Sequence, residues 1–366
     1  MNGKRMFRLA VMAVAVFSSV SFGGTETVGM NSGNFFFNGR WDHEGSYSRT
    51  SAPAATIQFN AVAGELGMDM EGLARWRLDQ DGKQIAVFFT DARSVKKVQV
   101  AGDGKSHSYR MVKISESNPG GVKVYNIALD AGGVFKEPPK PSSRRIEFIG
   151  DSFTVGYGVE GQVGDPDENV FVATNASKSY AFLLADSYKA DFQVNAFSGR
   201  GVVRNYDNIV PQWPVPRLYQ FTVPGEAPSD IAQGKDSTRL MYDFGQFHPQ
   251  VVVVFLGIND FQGNPPYGDK AAFKNSYRQL LAKLRGLHPG VKFLLVSTKV
   301  WPNNDLTPTV KAIFDEETAL GHKDLDFVEV FTENTALHGH PNEHSQQDLA
   351  NTLRTIIGRL GRWMSR

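Results

Sequence analysis

A serine with the potential to act as a nucleophile follows a strongly apolar run near the middle of the chain. In the stretch RIEFIGDSFT, Ser152 comes directly after residues typical of a buried strand. A serine at such a point can begin a helix, where free backbone N–H groups favour developing negative charge. Because Asp-Ser after a strand is also a common helix cap, Ser152 indicates catalysis only if a base and further hydrogen-bond donors are found elsewhere.

Two later motifs offer such donors at the ends of further apolar runs. FQVNAFSGRG ends in a glycine-rich turn, where Gly199 has no side chain to obstruct its N–H group. VVVVFLGIND ends with Asn259, whose amide can supply another donor. Each motif alone is also ordinary turn chemistry. Because strand ends of an α/β sheet share one edge, we expect Ser152, Gly199 and Asn259 to lie at the same edge.

A base for the serine is expected in ALHGHPNEHSQQDLA, which contains three of the eight histidines, His338, His340 and His344. This stretch precedes the last amphipathic segment of the chain. His340 stands before Pro341, and proline is well tolerated at a helix start. A loop that enters the last helix can bring His340 back to the sheet edge, so we predict that His340 is the general base.

The same histidine cluster also allows a metal-binding interpretation. HPNEH matches the H-x-x-E-H pattern, in which two histidines bind zinc and a glutamate activates water. His340, His344 and His338 would then be ligands and Glu343 the base. Pro341 puts His340 before the helix, however, so the two histidines of the pattern need not share a helical face. We keep a zinc hydrolase as a minor alternative and predict no metal and no cofactor.

The elements that must position these residues change in kind along the chain. Before residue 130, short alternating segments such as ATIQFNAV and VKVYNIAL, separated by turn residues, predict an all-β sandwich of the jelly-roll kind. The proline-rich stretch KEPPKPSSRR predicts a linker. Beyond it, continuous apolar runs alternate with helical patterns, which predicts an α/β domain with a mostly parallel sheet. We expect the sandwich at residues 25–138, the linker at 139–145 and the α/β domain at 146–366.

Two amphipathic helices are expected within the α/β part. One carries its apolar face on Phe273, Tyr277, Leu281 and Leu284, and the last carries it on Leu349, Leu353, Ile356 and Leu360.

Composition restricts the partners and the location. The chain has 39 Lys and Arg against 38 Asp and Glu, a net charge of +1, so no charge surplus favours nucleic acid or an anionic membrane. The first 23 residues carry basic residues, an apolar run and small residues, the pattern of a cleavable export signal. We therefore expect a periplasmic or extracellular protein without a membrane span in its mature form. It contains no cysteine, so it must be stable without disulfides.

Four motifs in order, GDSFT, SGRG, GIND and HPNEH, resemble the conserved blocks of the GDSL/SGNH hydrolase superfamily, over about residues 146–366. With FNGRWD in the β-rich part and SGRGVVRNY, the whole mature chain resembles the second family of carbohydrate esterases, two-domain secreted deacetylases of plant polysaccharides. The resemblance implies that Ser152 is the nucleophile and His340 the base. It implies an oxyanion hole made by the N–H groups of Ser152 and Gly199 and the side chain of Asn259.

One position departs from the superfamily pattern. An aspartate usually stands three residues before the histidine, and in some members of this branch two before, yet this chain has Leu337 and His338 there. In some of these esterases a backbone carbonyl holds the imidazole instead. We therefore predict a Ser-His dyad.

The substrate expectations follow from the resemblance and from exposed-looking aromatic residues. The resemblance implies an acetyl group on a polysaccharide such as xylan or glucomannan. Trp301 and Trp213 are candidate stacking platforms for sugar rings, and Asp260 is a further candidate contact. A lipase, lysophospholipase or thioesterase acting on longer acyl chains is the main alternative, because the superfamily includes such enzymes. A glycan-binding protein without turnover is the third class, and it would have no need for a nucleophile with a base.

Overall fold

The computed structural model describes residues 25–117, 121–224 and 241–363. The export signal expected at residues 1–23 lies outside the described residues. Within the described part, no helix is long and apolar enough to cross a membrane.

The β-rich part is built from two antiparallel sheets. Their strand orders are β3-β4-β11-β6-β9, with β1 also on β11, and β12-β5-β10-β7-β8, with β2 also on β5. The strands are β1 Thr27–Gly29, β2 Phe36–Asn38, β3 Asp42–Glu44, β4 Tyr47–Thr50, β5 Thr56–Val62, β6 Glu65–Glu71, β7 Ala74–Gln80, β8 Lys83–Thr90, β9 Ser94–Gln99, β10 His107–Lys113, β11 Val122–Leu129 and β12 Val134–Lys136.

Alternating side chains from both sheets fill the space between them. Met68 and Met70 of β6 in one sheet join Phe59 of β5 and Trp76 of β7 in the other, and all four are fully buried in one apolar cluster. In β5 and β11, for example, buried residues mostly alternate with partly exposed ones, as the alternating pattern predicts. The prediction of a β-sandwich is confirmed.

The second part contains a five-stranded, entirely parallel sheet in the order β14-β13-β15-β16-β17. Its strands are β13 Arg145–Gly150, β14 Asp191–Ala196, β15 Val251–Phe255, β16 Lys292–Thr298 and β17 Leu325–Val330. The helices around it are α1 Ser152–Val155, α2 Val170–Ala173, α3 Tyr180–Tyr188, α4 Val215–Leu218, α5 Ile258–Phe261, α6 Lys270–Leu287, α7 Leu306–Ala319 and α8 Glu343–Leu360. The prediction of an α/β domain with a parallel sheet is confirmed.

The apolar faces of the two long helices pack as expected, with one difference. Phe273, Tyr277, Leu281 and Leu284 of α6 are all fully buried. In α8, Leu349 and Leu353 are buried, but the next fully buried residue is Ile357, while Ile356 and Leu360 are only partly buried. The buried stripe of α8 is made by Ser345, Gln346, Leu349, Ala350, Leu353, Ile357 and Gly358.

The sandwich and the α/β part are joined by a buried polar contact. Arg40, which lies in FNGRWD, pairs with Glu147 of β13 at 3.2 Å, and both side chains are 2% exposed. The same guanidinium donates to Gln193 and to the carbonyl oxygen of Tyr219. Between Lys136 and Arg145 the chain forms neither helix nor strand. The boundaries expected for the two domains and the linker stay a prediction.

Candidate active site

Ser152 lies at the carboxyl end of β13, directly after the strand. Asp151 caps α1 by accepting a hydrogen bond from the Phe153 N–H at 3.1 Å. The helix is only four residues long and ends at Gly156, so it contributes individual N–H groups and hardly any dipole, in contrast to the expectation from the sequence. Ser152 is 6% exposed, which leaves its hydroxyl in a largely dry setting.

Asn259 lies at the end of the neighbouring strand, in α5, and contacts both other blocks. Its Nδ2 donates to the carbonyl oxygen of Arg200 at 3.0 Å and lies 3.4 Å from Oδ2 of Asp151. The first contact orients the amide, while the second is long for a hydrogen bond. Burial raises the pKa of Asp151 to about 8, while the hydrogen bond from the Phe153 N–H acts in the opposite direction.

Gly199 follows β14 and has a positive φ of +74°. No heavy atom lies within 4 Å of the point where a Cβ would stand. The space in front of this turn is therefore open to a ligand, and the conformation favours glycine. The structure thus brings Ser152, Gly199 and Asn259 to the carboxyl ends of β13, β14 and β15.

Asp260 has a different task from the one expected, and the expectation that it contacts substrate is corrected. It is fully buried, and its carboxylate accepts the backbone N–H groups of Val202 at 2.9 Å, Val203 at 2.8 Å and Arg204 at 2.9 Å. Burial raises its pKa to about 6, while these hydrogen bonds act in the opposite direction. Asp260 fixes the loop after Gly199 rather than facing the cleft.

His340 lies against the turn that carries Ser152. Its ring is 5.6 Å from the ring of Phe153 and 4.4 Å from that of Tyr157, measured between centroids. Nδ1 lies 3.1 Å from the carbonyl oxygen of Leu337. Because a carbonyl only accepts, this contact requires the proton on Nδ1 and leaves the lone pair on Nε2. Burial lowers the pKa of His340 to about 4.

The other two histidines of the cluster are engaged elsewhere. His338 is within hydrogen-bond distance of the Tyr157 hydroxyl, at 2.9 Å, and of Asp167, at 2.7 Å, and His344 contacts Asp348 at 3.2 Å. His340 precedes α8, whereas His344 lies within it, so the two do not form the helical pair of the zinc pattern. Among the described residues, no group of three or more His, Cys, Asp or Glu side chains could hold a metal. The zinc alternative therefore lacks a ligand set.

The two tryptophans expected to stack on sugar rings differ in exposure. Trp301 is 76% exposed and follows β16 at the same sheet edge, so its ring is available. Trp213 is fully buried and packs edge-on against Phe221 at 6.0 Å, with the Arg217 guanidinium 4.1 Å from its ring centre. The expectation for Trp213 is corrected, since a buried ring offers no face to a polysaccharide.

Sequence reasoning missed two residues beside this site. Tyr157 contacts both His338 and His340, and Glu116, from the β-rich part, accepts a hydrogen bond from the Ser198 hydroxyl. The GYG sequence that contains Tyr157 was a visible turn signal. Nothing in the spacing around Glu116 indicated its position, because its contact partner is distant in the chain.

These groups together can support acyl transfer. A serine at a strand end, a neutral imidazole with a free Nε2, and N–H donors beside an open space are the parts that nucleophilic attack on an ester carbonyl requires.

Comparisons with known proteins agree with this chemistry. Residues 148–347 match the model of the GDSL-like lipase/acylhydrolase family. An acetylxylan esterase/glucomannan deacetylase of Cellvibrio japonicus is 28% identical over 292 residues, 77% of each chain. A family two carbohydrate esterase from Clostridium thermocellum, solved with cellohexaose, superposes with a TM-score of 0.80 at 25% identity, covering 90% of this chain and 100% of that one. A family two carbohydrate esterase from Cellvibrio japonicus shares the fold, with a TM-score of 0.81 at 21% identity over 93% and 99% of the chains.

Proposed function

This chain belongs to the GDSL-like lipase/acylhydrolase family, and we propose that it removes acetyl groups from plant polysaccharides through a serine acyl-enzyme. The observation that carries the proposal is the contact of the His340 ring with the ring of Phe153, the residue next to Ser152, together with the backbone carbonyl that holds Nδ1 of His340. The similarity to an acetylxylan esterase/glucomannan deacetylase supports acetylated xylan and glucomannan as the substrates.

The proposed reaction proceeds in two steps. Ser152 Oγ attacks the ester carbonyl while Nε2 of His340 takes its proton, and the N–H groups of Ser152 and Gly199 with the Asn259 amide stabilise the oxyanion. His340 then returns the proton to the sugar hydroxyl that leaves. Water, deprotonated by His340, then attacks the acetyl-Ser152 ester; as the bond to Ser152 Oγ breaks and acetate is released, His340 returns the proton to Ser152 Oγ. Nδ1 stays protonated throughout, which lets Nε2 alternate between base and acid.

We propose that this reaction runs on a dyad rather than on a triad. The Leu337 carbonyl at 3.1 Å from Nδ1 can hold the tautomer that a carboxylate holds in a triad. A carbonyl carries only partial negative charge, so it stabilises the imidazolium less than a carboxylate does. Glu343, the acidic residue nearest in sequence, supports this assignment because its carboxylate pairs with Lys178 at 2.8 Å.

Hydrolysis of p-nitrophenyl acetate beside p-nitrophenyl octanoate, by the mature protein and by Ser152→Ala, tests the proposal. We expect acetate to be the better substrate and the variant to lose turnover by at least about 10³-fold. Incubation with EDTA should leave the rate unchanged. Released acetate from acetylated xylan and glucomannan then identifies the polysaccharide.

The possible results separate the candidate functions. A preference for octanoate would favour a lipase or thioesterase, and activity that survives Ser152→Ala would show that Ser152 is only a turn residue. Loss of activity with EDTA and recovery with zinc would favour the metal. Binding of polysaccharide without release of acetate would favour a binding protein.

We also propose that the protein acts outside the cytoplasm, since its proposed substrates are polymers of the plant cell wall. The pattern of residues 1–23 supports export. Expression with this segment, followed by N-terminal sequencing of the protein from the culture medium and the periplasm, tests both cleavage and location. A mature chain that still begins at residue 1 would contradict the proposal.

A further inference from the structure

A carboxylate from the β-rich part reaches the loop that holds Gly199. After β10, residues 114–117 run along the α/β part and are fastened to it at two points. The carbonyl oxygen of Ile114 accepts the Ala176 N–H at 2.9 Å, and the Ser117 hydroxyl donates to the carbonyl oxygen of Ala196 at 3.0 Å. Ala196 is the last residue of β14, so this segment ends beside the turn at residues 198–201.

The Glu116 side chain points into this junction. It is 5% exposed, its Oε1 accepts the Ser117 N–H at 2.8 Å, and its Oε2 accepts the Ser198 hydroxyl. Burial raises the pKa of Glu116, while the hydrogen bonds from Ser198 and Ser117 lower it. Each carboxylate oxygen thus accepts a hydrogen bond from a group at the junction of the two parts, one from Ser117 and one from Ser198.

The backbone beneath Glu116 is held by a buried lysine. Lys113 is fully buried, and its Nζ donates to the carbonyl oxygens of Ser51 at 3.1 Å, Ser115 at 3.2 Å and Glu116 at 2.8 Å. Three hydrogen bonds from one ammonium group hold this turn in a single conformation. The backbone at Glu116 is thus held in place by Lys113.

We propose that Glu116 is a positioning residue for the acyl-transfer reaction: it fixes Ser198 and so aims the N–H of the following Gly199 at the oxyanion. This inference rests on the proposed function. The transition state gains from a donor only when the donor is already aimed at the developing charge. The Gly199 carbonyl accepts the Tyr206 N–H at 2.9 Å, but nothing packs where a Cβ of Gly199 would stand, and its N–H belongs to the peptide group that joins it to Ser198. The sandwich thereby contributes directly to catalysis.

A buried carboxylate would be a costly way to obtain stability alone. Removing a charge from water costs free energy that a neutral side chain avoids, even when hydrogen bonds offset part of it. Glu147 provides the comparison within the same molecule, because it is an equally buried glutamate between the two parts and is paired with Arg40. Its side-chain contacts, to Arg40, Asn195 and Tyr219, include none of the proposed catalytic residues.

A double-mutant cycle tests the inference. Glu116→Gln, Ser198→Ala and the double variant are compared for kcat and KM on p-nitrophenyl acetate, with Glu147→Gln as the matched control. We expect each single change at the pair to lower kcat about 10- to 100-fold with little change in KM, because a misaimed donor weakens transition-state binding. The double variant should be no slower than the worse single variant, whereas Glu147→Gln should keep the parent kcat at a temperature where it is folded.

Several results would overturn the inference. These are an unchanged kcat in Glu116→Gln or Ser198→Ala, effects that multiply in the double variant, or an equal loss in Glu147→Gln. Ser198→Ala removes only a hydroxyl, so it keeps the test decisive if Glu116→Gln does not fold, as judged by urea unfolding. Failure of the proposed function is distinguishable, because the parent protein would then not hydrolyse p-nitrophenyl acetate or Ser152→Ala would retain the activity.

Discussion

His340, the proposed base, combines two properties that bear on how it would activate Ser152. Its Nδ1 is held by the Leu337 carbonyl, and burial lowers its pKa to about 4 from an ordinary value of 6.5. A base must be neutral to accept a proton, so a lower pKa extends the active range toward acidic pH. A base with a lower pKa accepts a proton less readily. His340 is, however, in the neutral form that can accept a proton across the whole neutral pH range.

We therefore expect kcat/KM for p-nitrophenyl acetate to rise with pH through a pKa well below 6.5 and to be level from about pH 6 to pH 8. The rising limb marks loss of the proton from His340, since the protonated ring cannot accept one from Ser152. The measurement is a pH–rate profile, with spontaneous hydrolysis subtracted. An acidic limb at or above pH 6.5 would contradict the burial argument, and would point to a carboxylate partner for His340.

Trp301 gives a second prediction at the scale of single residues. If its exposed ring stacks on a sugar, Trp301→Ala should raise KM for acetylated oligosaccharides about 10-fold and leave p-nitrophenyl acetate hydrolysis unchanged, because the small ester has no sugar to stack. Kinetics on both substrates measure the difference. Leu320→Ala is a control for the loss of an exposed apolar side chain, since Leu320 ends α7 and is 64% exposed. Equal KM values for Trp301→Ala and the parent on the oligosaccharide would exclude the platform.

Chemical types and order along the chain were sufficient to predict the residues that meet at the sheet edge, but not the orientation of each side chain. Ser152, Gly199 and Asn259 follow three apolar strands, so the parallel sheet brings them together. The expectations for Asp260 and Trp213 were wrong because both side chains are buried. A sequence alone does not show whether such a side chain faces the protein interior or the solvent. Their burial follows from tertiary packing.

At the scale of elements, the loop with His340 depends on its contact with the turn after α1. Gly158 has a φ of +61°, and a Cβ there would stand 2.7 Å from Cβ of Leu337, whose carbonyl holds the imidazole. The backbone of Leu337 also donates to the carbonyl oxygen of Gly158 at 3.3 Å. The nucleophile turn and the base loop are thus packed backbone to backbone.

Gly158→Ala should consequently lower both stability and kcat. Gly164 is the matched control, because its φ is +91° but nothing lies within 4 Å of an added Cβ. Both substitutions impose an unfavourable φ, costing about 1–2 kcal/mol, whereas only Gly158→Ala must displace Leu337. Urea unfolding and turnover of p-nitrophenyl acetate measure the two effects. Equal kcat values for the two variants would show that the contact with Leu337 does not control His340.

The elements themselves were largely predictable because the apolar pattern changes clearly along the chain. RIEFIG coincides with β13, and VKVYNIAL with β11. The short length of α1 was not predicted; Gly156, in the αL conformation, ends the helix after one turn. The register of α8 was also off by one residue at Ile356, because the sequence offers two adjacent isoleucines for one buried position.

At the scale of the whole molecule, a buried pair of charged side chains joins the sandwich to the α/β part. Arg40 lies within 4.3 Å of the Tyr219 ring centre and 4.1 Å of that of Tyr242, in addition to its pair with Glu147. Asp186 of α3 accepts from Arg110 at 2.5 Å, which adds a partly exposed contact between the two parts. In the sequence, FNGRWD was notable only for its resemblance to the family. In the structure, Arg40 of this motif joins the two parts of the molecule through its buried contact with Glu147.

We expect Arg40→Met to destabilise the protein by about 3–5 kcal/mol, because it leaves Glu147 buried without its cation. Arg93→Met is the control: Arg93 pairs with Asp69 at the surface, where solvent screens the ion pair and it contributes little to stability. Urea unfolding monitored by tryptophan fluorescence measures both. If Arg40→Met unfolds at the same urea concentration as Arg93→Met, the interface charge is not a determinant of stability.

The contribution of the sandwich to the site was the least predictable feature of all. Four strands, β11 to β14, and the helices α1 to α3 lie between Glu116 and Ser198 in the chain, and only the folded chain reveals their contact. No periodicity or motif links them, since each stands in a locally ordinary turn.

The order in which the parts of the site occur along the chain has a consequence for biosynthesis. Glu116 is synthesised first, Ser152 and Gly199 follow, and His340 comes just before the last helix. With the roles proposed for Ser152 and His340, a nascent chain carries its nucleophile long before it can acquire a base. In the folded chain the His340 loop contacts Phe153, next to Ser152. With the proposed roles, a nascent chain that ends before residue 340 lacks the base that its serine requires.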